Sequence, residues 1–196
     1  MKTTIISNCC GGADVYIRKG ARFTNPFVWS EVFERDLLAL IENFKTVDFY
    51  NFDLTRKNKT VMGIVVDNRF TIWFPHYKYD PTCETPVKRG VDVFYKRNYE
   101  YVVDKYVSRC NRMSSECEPY FLIFAYKDKV ADAASCKVLQ DALVRSGYSS
   151  LLITPYDIKG TLNNKVIIEP TMLLDPAPTP GVYVEKYGLS RMFTDL

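Results

Sequence analysis

One stretch limits the fold more than any other. Residues 118–126, EPYFLIFAY, are almost continuously apolar, and a strand of that kind is buried on both faces. After it come the capping residue Asp132, a helical stripe of Val138, Leu139, Ala142 and Leu143, the stop signal Gly147, and a second apolar run at 150–154. A helix flanked by two wholly apolar strands indicates a parallel sheet with helices packed on it. KTTIIS at 2–7 reads as another buried strand, and 165–169 as a last one. The expected class is therefore α/β: a single layered domain with a mostly parallel central sheet, flanking helices and an added hairpin. A chain of 196 residues is enough for one well-buried core.

Other elements follow from pattern. A short helix is expected over 13–19, ended by Gly20. A second runs from an N-cap at Ser30 to Phe44, with Phe33, Leu37, Leu40, Ile41 and Phe44 on one face. Residues 60–66 and 70–74 read as a hairpin turning at Asp67-Asn68, and 47–54 fit no single pattern. The segment from 75 to 90, rich in proline, reads as an irregular loop. A long helix is expected from Val93 to Met113. The domain spans 1–170, and 171–196 is a proline-rich tail packed on it or extending from it over the surface.

Charge and composition exclude several functions. A net charge of +3 is too small for non-specific nucleic-acid binding. No apolar run approaches the roughly 20 residues that cross a bilayer. The opening MKTTIISNCC lacks the apolar core of a secretory signal, which predicts a cytoplasmic protein with reduced thiols. Six cysteines without a CxxC pair, and one histidine, argue against a structural zinc site. Neither GxGxxG nor a Gly-Lys-Ser/Thr phosphate loop is present.

What remains is a cysteine beside a predicted helix start. Cys10 at the positive end of the 13–19 helix is expected to be an acidic thiol. The amides of Gly11 and Gly12 are placed to cradle an oxyanion. His76, the single imidazole, is the available base, and a Cys–His pair is the minimal machinery for acyl transfer through a thioester. Cys9 is the rival nucleophile, since alternate side chains of a strand face opposite ways. Lys105, Arg109 and Arg112 share a helix face, either as a solvated surface or as an anion clamp for a phosphate-bearing donor or charged glycan. Trp73, Tyr77 and Tyr79 form a stacking wall for a sugar or nucleotide, or part of the core. Asp67, Asp80 and Asp92 are the acids available to orient the imidazole.

The ordered set TTIISNCCGG, GARFTNPFVW, FPHYKYD and DKYVSRCNRM resembles a set of bacterial proteins described as exopolysaccharide-biosynthesis proteins or papain-like cysteine peptidases. The Tyr-x-x-Arg-x-x-Arg pattern of that set matches Tyr106, Arg109 and Arg112. A capsule acetyltransferase with a Cys–His pair and coenzyme A is similar at greater distance. The resemblance covers roughly residues 3–155. It implies Cys10 as nucleophile and His76 as base, a site shaped by Asn8, Pro26, Phe27 and Trp29, and Arg109 and Arg112 lining or bracing it. Asn8, Trp29, Tyr77, Lys105, Arg109 and Arg112 are thus the substrate-binding candidates. The implied activity is acyl transfer to a glycan or lipid-linked sugar at or near the inner membrane. Coenzyme A is the candidate acyl donor, and no tightly bound cofactor is implied. Papain-like hydrolysis and a non-enzymatic carbohydrate- or nucleotide-binding role are the alternatives. Gly11 and Val28 depart from the set, which commonly has a side chain and Asp there.

Overall fold

The chain runs β1 (Thr3–Ser7), α1 (Gly11–Lys19), α2 (Glu34–Asn43), β2 (Phe52–Lys57), β3 (Val61–Val66), β4 (Phe70–Tyr79), β5 (Lys88–Arg89), β6 (Phe94–Arg97) and α3 (Tyr99–Cys110). It continues with β7 (Glu118–Phe124), α4 (Ala133–Ser146), β8 (Ser149–Thr154), β9 (Asn164–Ile168) and α5 (Pro180–Lys186), with 3-10 turns at Pro170–Leu173 and Leu189–Met192. This computed structural model describes residues 3–58, 61–79, 88–89, 94–97, 99–113, 117–126, 128–194 and 196.

The predicted parallel sheet is present, in the order β1-β7-β8-β9. Ile5 pairs with Tyr120, Leu122 with Leu151, and Leu152 with Val166, every pairing parallel. Its central strand is apolar throughout because both faces are covered. Phe121 and Ile123 point into a core shared with α2 and α4. Leu122 and Phe124 point the other way, into a core closed by α1 and the C-terminal segment. A second sheet, β2-β3-β4-β6-β5, is mainly antiparallel. All of it lies in the excursion between β1 and β7, so chain leaving the end of β1 is carried away and brought back against it.

Several boundaries move, each for a local reason. α1 starts two residues early, at Gly11, directly after Cys10. α2 starts at Glu34 rather than after Ser30. Residues 31–32 are held extended by paired backbone bonds between Glu31 and Trp73 (2.7 and 2.8 Å) and by Val32 N–H donating to the Asn8 carbonyl (3.1 Å). The Ser30 hydroxyl instead donates to the Phe27 carbonyl (2.7 Å). The long helix begins at Tyr99, because 94–97 form a strand beside β4. The hairpin turns where expected, with Asp67 and Asn68 both at positive φ (49° and 54°). α4 is capped by Asp132, whose carboxylate accepts from Ser135 N–H (2.8 Å), and ends at Gly147 with φ 73°.

The C-terminal segment packs on the domain rather than extending from it. Met172, Tyr183, Val184, Leu189 and Phe193 are buried in the second core. Full burial of such side chains is worth about 1.5–3 kcal/mol each. Glu169 fastens its base, accepting from Thr171, Lys186 and Tyr187. Among the described residues, no helix is long and apolar enough to cross a membrane.

Candidate active site

The two glycines of the opening segment answer to space. A Cβ at Gly11 would lie 2.2 Å from the Phe124 ring, and one at Gly12 would lie 2.8 Å from Ser7 Cβ. Only glycine lets the start of α1 sit this close to the sheet. Asn8 locks the junction: its amide donates to the Phe124 carbonyl (3.0 Å) and its side-chain oxygen accepts the Phe124 N–H (2.9 Å). Fully buried and bonded at both ends, Asn8 shapes the site and does not face a substrate.

β1 therefore delivers Cys10 to the N-terminus of α1 as its capping residue. Cys9 and Cys10 part company in the turn that follows β1, where Cys10 has helical dihedrals (φ -60°, ψ -12°). Cys9 is buried in the second core, while Cys10 is partly exposed.

His76 arrives from the other sheet. The expectation of a hairpin strand ending at Phe74, with His76 in the irregular loop beyond it, is corrected: β4 runs to Tyr79, still paired antiparallel with β3. Met62 faces Phe74 while its neighbour Val61 faces Lys78, so Pro75, His76 and Tyr77 form a bulge. Pro75 has no N–H to give the ladder, and a bulge re-aims the side chains within it. The imidazole Nε2 lies 3.1 Å from Cys10 Sγ.

Trp29 forms the side of this pair. Its indole meets the imidazole edge to face, with centroids 5.6 Å apart at 89°. Its backbone is left-handed (φ 59°), a conformation that costs a non-glycine residue on the order of 1–3 kcal/mol. The surrounding loop holds it there. Asn25 accepts the Phe27 N–H (3.0 Å), and Arg109 donates to the Val28 carbonyl (2.7 Å).

The three basic side chains form neither a shared solvated face nor an anion clamp. Arg109 is buried beneath the Trp29 loop and stacked near Phe23. Arg112 donates to the Phe23 carbonyl (2.8 Å) and to Ser108 (2.7 Å). Lys105 is exposed, with its ammonium over Tyr101. The arginines turn inward because the Phe23 and Val28 carbonyls need donors, so they brace the site rather than converge on a ligand. Trp73 is half-buried on β4. Asp67 is at the far turn of β4, paired with Arg69 (3.0 Å), and does not orient His76. Asp80 and Asp92, and the side chains of Tyr77 and Tyr79, lie outside the described residues.

Burial works against the expected acidic thiol. Burial, then the carboxylates of Glu31 and Asp14, push Cys10 up to about 12, against smaller help from Lys129 and its own N–H. That rise is on the order of 4 kcal/mol against the thiolate, whereas a helix terminus favours an anion by about 0.3–2 kcal/mol. His76 is held below its usual value by burial, partly offset by Glu31. The resting pair is thus a neutral thiol beside a neutral imidazole. The Gly11 N–H points to the Cys9 sulfur, whose own pKa burial raises further still. The Cys10 N–H, by contrast, acts on its own sulfur.

Two residues near the pair escaped the sequence reading. Glu31 is ion-paired to the nearly buried Lys129 at 2.9 Å. Only the Glu31–Trp73 backbone bridge puts that carboxylate beside the site, and no local pattern encodes it. Compared with protein-family models and with curated proteins, the chain matches none.

Proposed function

We propose that this protein is a cysteine-dependent acyltransferase, with Cys10 as nucleophile and His76 as general base. The observation that carries the reading is the 3.1 Å contact between Cys10 Sγ and His76 Nε2, made across two sheets and a separation of 66 residues. A contact of that range is not a consequence of local chain geometry. Support also comes from the strained Trp29 backbone beside the imidazole, since such strain persists where surrounding structure imposes it.

The neutral resting pair sets the mechanism. His76 takes the thiol proton as sulfur attacks the acyl carbon, instead of holding a preformed thiolate. The Gly12 amide, in the first turn of α1, stabilises the tetrahedral oxyanion. The imidazolium then returns its proton to the leaving group, and an acceptor hydroxyl resolves the thioester. The donor class is an activated acyl ester or thioester, and acyl-coenzyme A is the first to test. The acceptor class, a cell-surface glycan or lipid-linked sugar, rests on the resemblance of the ordered motifs. A cytoplasmic location belongs to the same reading.

A second reading, papain-like hydrolysis or amidase action, shares every step except the last. The helix-borne cysteine facing a strand-borne histidine favours it. Incubation with a labelled acyl thioester separates the two. Acyl-enzyme at Cys10 that turns over only with a saccharide acceptor supports transfer, and turnover with water alone supports hydrolysis. Full labelling of Cys10→Ala and undiminished turnover in His76→Gln would reject both.

A further inference from the structure

Away from Cys10 and His76, a buried polar atom stands without a partner in a residue that lines a pocket. Gln140, in the middle of α4, is only 3% exposed. Its Nε2 donates to the Asn164 carbonyl (3.0 Å), while its Oε1 accepts from no group among the described residues. The bond to Asn164 does not account for a glutamine here, because that carbonyl already accepts from Thr161 N–H (2.8 Å). A buried acceptor without a donor is a standing cost, and folded proteins keep few of them.

Gln140 lines a pocket of about 470 Å³ between α4 and the loop that leaves β8. Both walls begin at the carboxyl ends of parallel strands, α4 after β7 and the loop after β8. Open α/β sheets bind ligands at that edge, and Cys10 follows β1 on the same edge. The lining selects a chemical class. The helix wall carries Lys137 and Asp141, paired at 3.0 Å, and the loop wall carries Asp157 and Lys159. These charges cancel, so net charge draws neither an anion nor a cation. Apolar lining is limited to Ala133, Ala134 and Ile158, too little for a lipid chain or an aromatic ring. A sugar hydroxyl answers both signs at once, donating to a carboxylate or amide oxygen and accepting from an ammonium. The small apolar patch suits the C–H face of a pyranose.

We propose that this pocket is a subsite for a neutral mono- or disaccharide, with a sugar hydroxyl as the missing donor to Gln140 Oε1. The subsite does not depend on the chemistry of Cys10. On the acyl-transfer reading, it anchors the acceptor glycan outside the reacting pair.

The test is an NMR titration of the full, isotope-labelled chain. The probes are methyl glucoside, methyl galactoside, N-acetylglucosamine and maltose at millimolar concentration, with a hexose phosphate and glucosamine as charged counterparts. At least one neutral sugar should move the Gln140 side-chain amide and the Ala134 and Lys159 backbone signals, and the shifts should saturate. Ala134→Leu fills the pocket with a good helix former and should weaken binding about tenfold or more. Gln140→Met removes the acceptor and should weaken it about tenfold. Ala134→Leu alone decides if Gln140→Met does not fold. Cys10→Ala should bind sugar as the wild type does, so a failure of acyl transfer and a failure of the subsite are read separately. If no neutral sugar moves these signals, a bound water is the donor to Oε1 and the proposal is overturned. Tighter binding of the hexose phosphate or of glucosamine in the pocket overturns it as well, as does unchanged binding in Ala134→Leu.

Discussion

Two clusters of titratable side chains lie just beyond the two edge strands of the parallel sheet, β1 and β9, and behave in opposite ways. At Glu169, a carboxylate that is 2% exposed accepts from Thr171, Lys186 and Tyr187, and these bonds hold its pKa down at about 2. At Cys10 and His76, burial dominates, and each group is displaced toward its neutral form. A charge satisfied by its partners is a fastening. A thiol and an imidazole left in contact without such satisfaction have proton transfer still available to them.

The largest expected effect tests the second half of that contrast. Cys10→Ala should lower acyl transfer by a thousandfold or more, and His76→Gln by about 10²–10⁴. Both should leave thermal stability within about 1 kcal/mol, since neither group is an essential packing element. The pH profile should have one rising limb. Transfer requires neutral His76, so the rate climbs through a midpoint below the ordinary imidazole value of about 6.5. It then stays level across neutral and mildly alkaline pH, because the thiol does not ionise until about 12. A bell shape with both limbs near neutrality would point instead to a preformed ion pair.

The two regions differ also in how far the sequence reveals them. The parallel sheet was legible because buried strands write themselves as apolar runs, as at 118–124 and 150–154, and because Asp132 and Gly147 mark the ends of α4. Cys10 and His76 could be singled out as chemistry, but their contact depends on a long-range bulge. Pro75 hints at an irregularity in β4, yet periodicity alone ended that strand at Phe74. The inward turn of Arg109 was illegible for another reason. Helical spacing shows which face a residue shares, but the Val28 carbonyl that draws the guanidinium in belongs to a loop 81 residues away.

Arg109→Met sharpens the comparison from the side of the brace. It leaves the Val28 carbonyl without its donor, a loss of about 1–3 kcal/mol. The left-handed Trp29 should relax, and a displacement of about 1 Å there can slow transfer up to a hundredfold. The loss should be the same for charged and uncharged acyl donors. A penalty confined to phosphate-bearing donors would restore the clamp. Lys105→Met should change neither quantity measurably, since surface substitutions usually stay within about 0.5 kcal/mol.

Glu169→Ala should act in the other region alone. Freed donors and a loosened C-terminal segment should cost on the order of 1–3 kcal/mol, with activity per folded molecule retained. The linkage has a definite sign. A carboxyl whose folded pKa is depressed stabilises the fold above its ordinary value of 4.5, and that contribution is lost as pH falls towards about 2. The wild type should therefore lose stability across this interval more steeply than the variant, as read by chemical denaturation at each pH.

One further substitution discriminates between neighbours in the chain. Cys9→Ala removes a sulfur that is 5% exposed, in contact with the second core rather than with His76. Its loss should cost about 1 kcal/mol through the small cavity left behind. Acylation at Cys10 should persist, because Gly11 N–H serves the Cys9 sulfur and not the reacting one. If Cys9→Ala instead abolished labelling while Cys10→Ala kept it, the turn after β1 would have to present the other cysteine to the imidazole. The 3.1 Å contact that separates the two cysteines would then describe a packing arrangement and not a reaction centre.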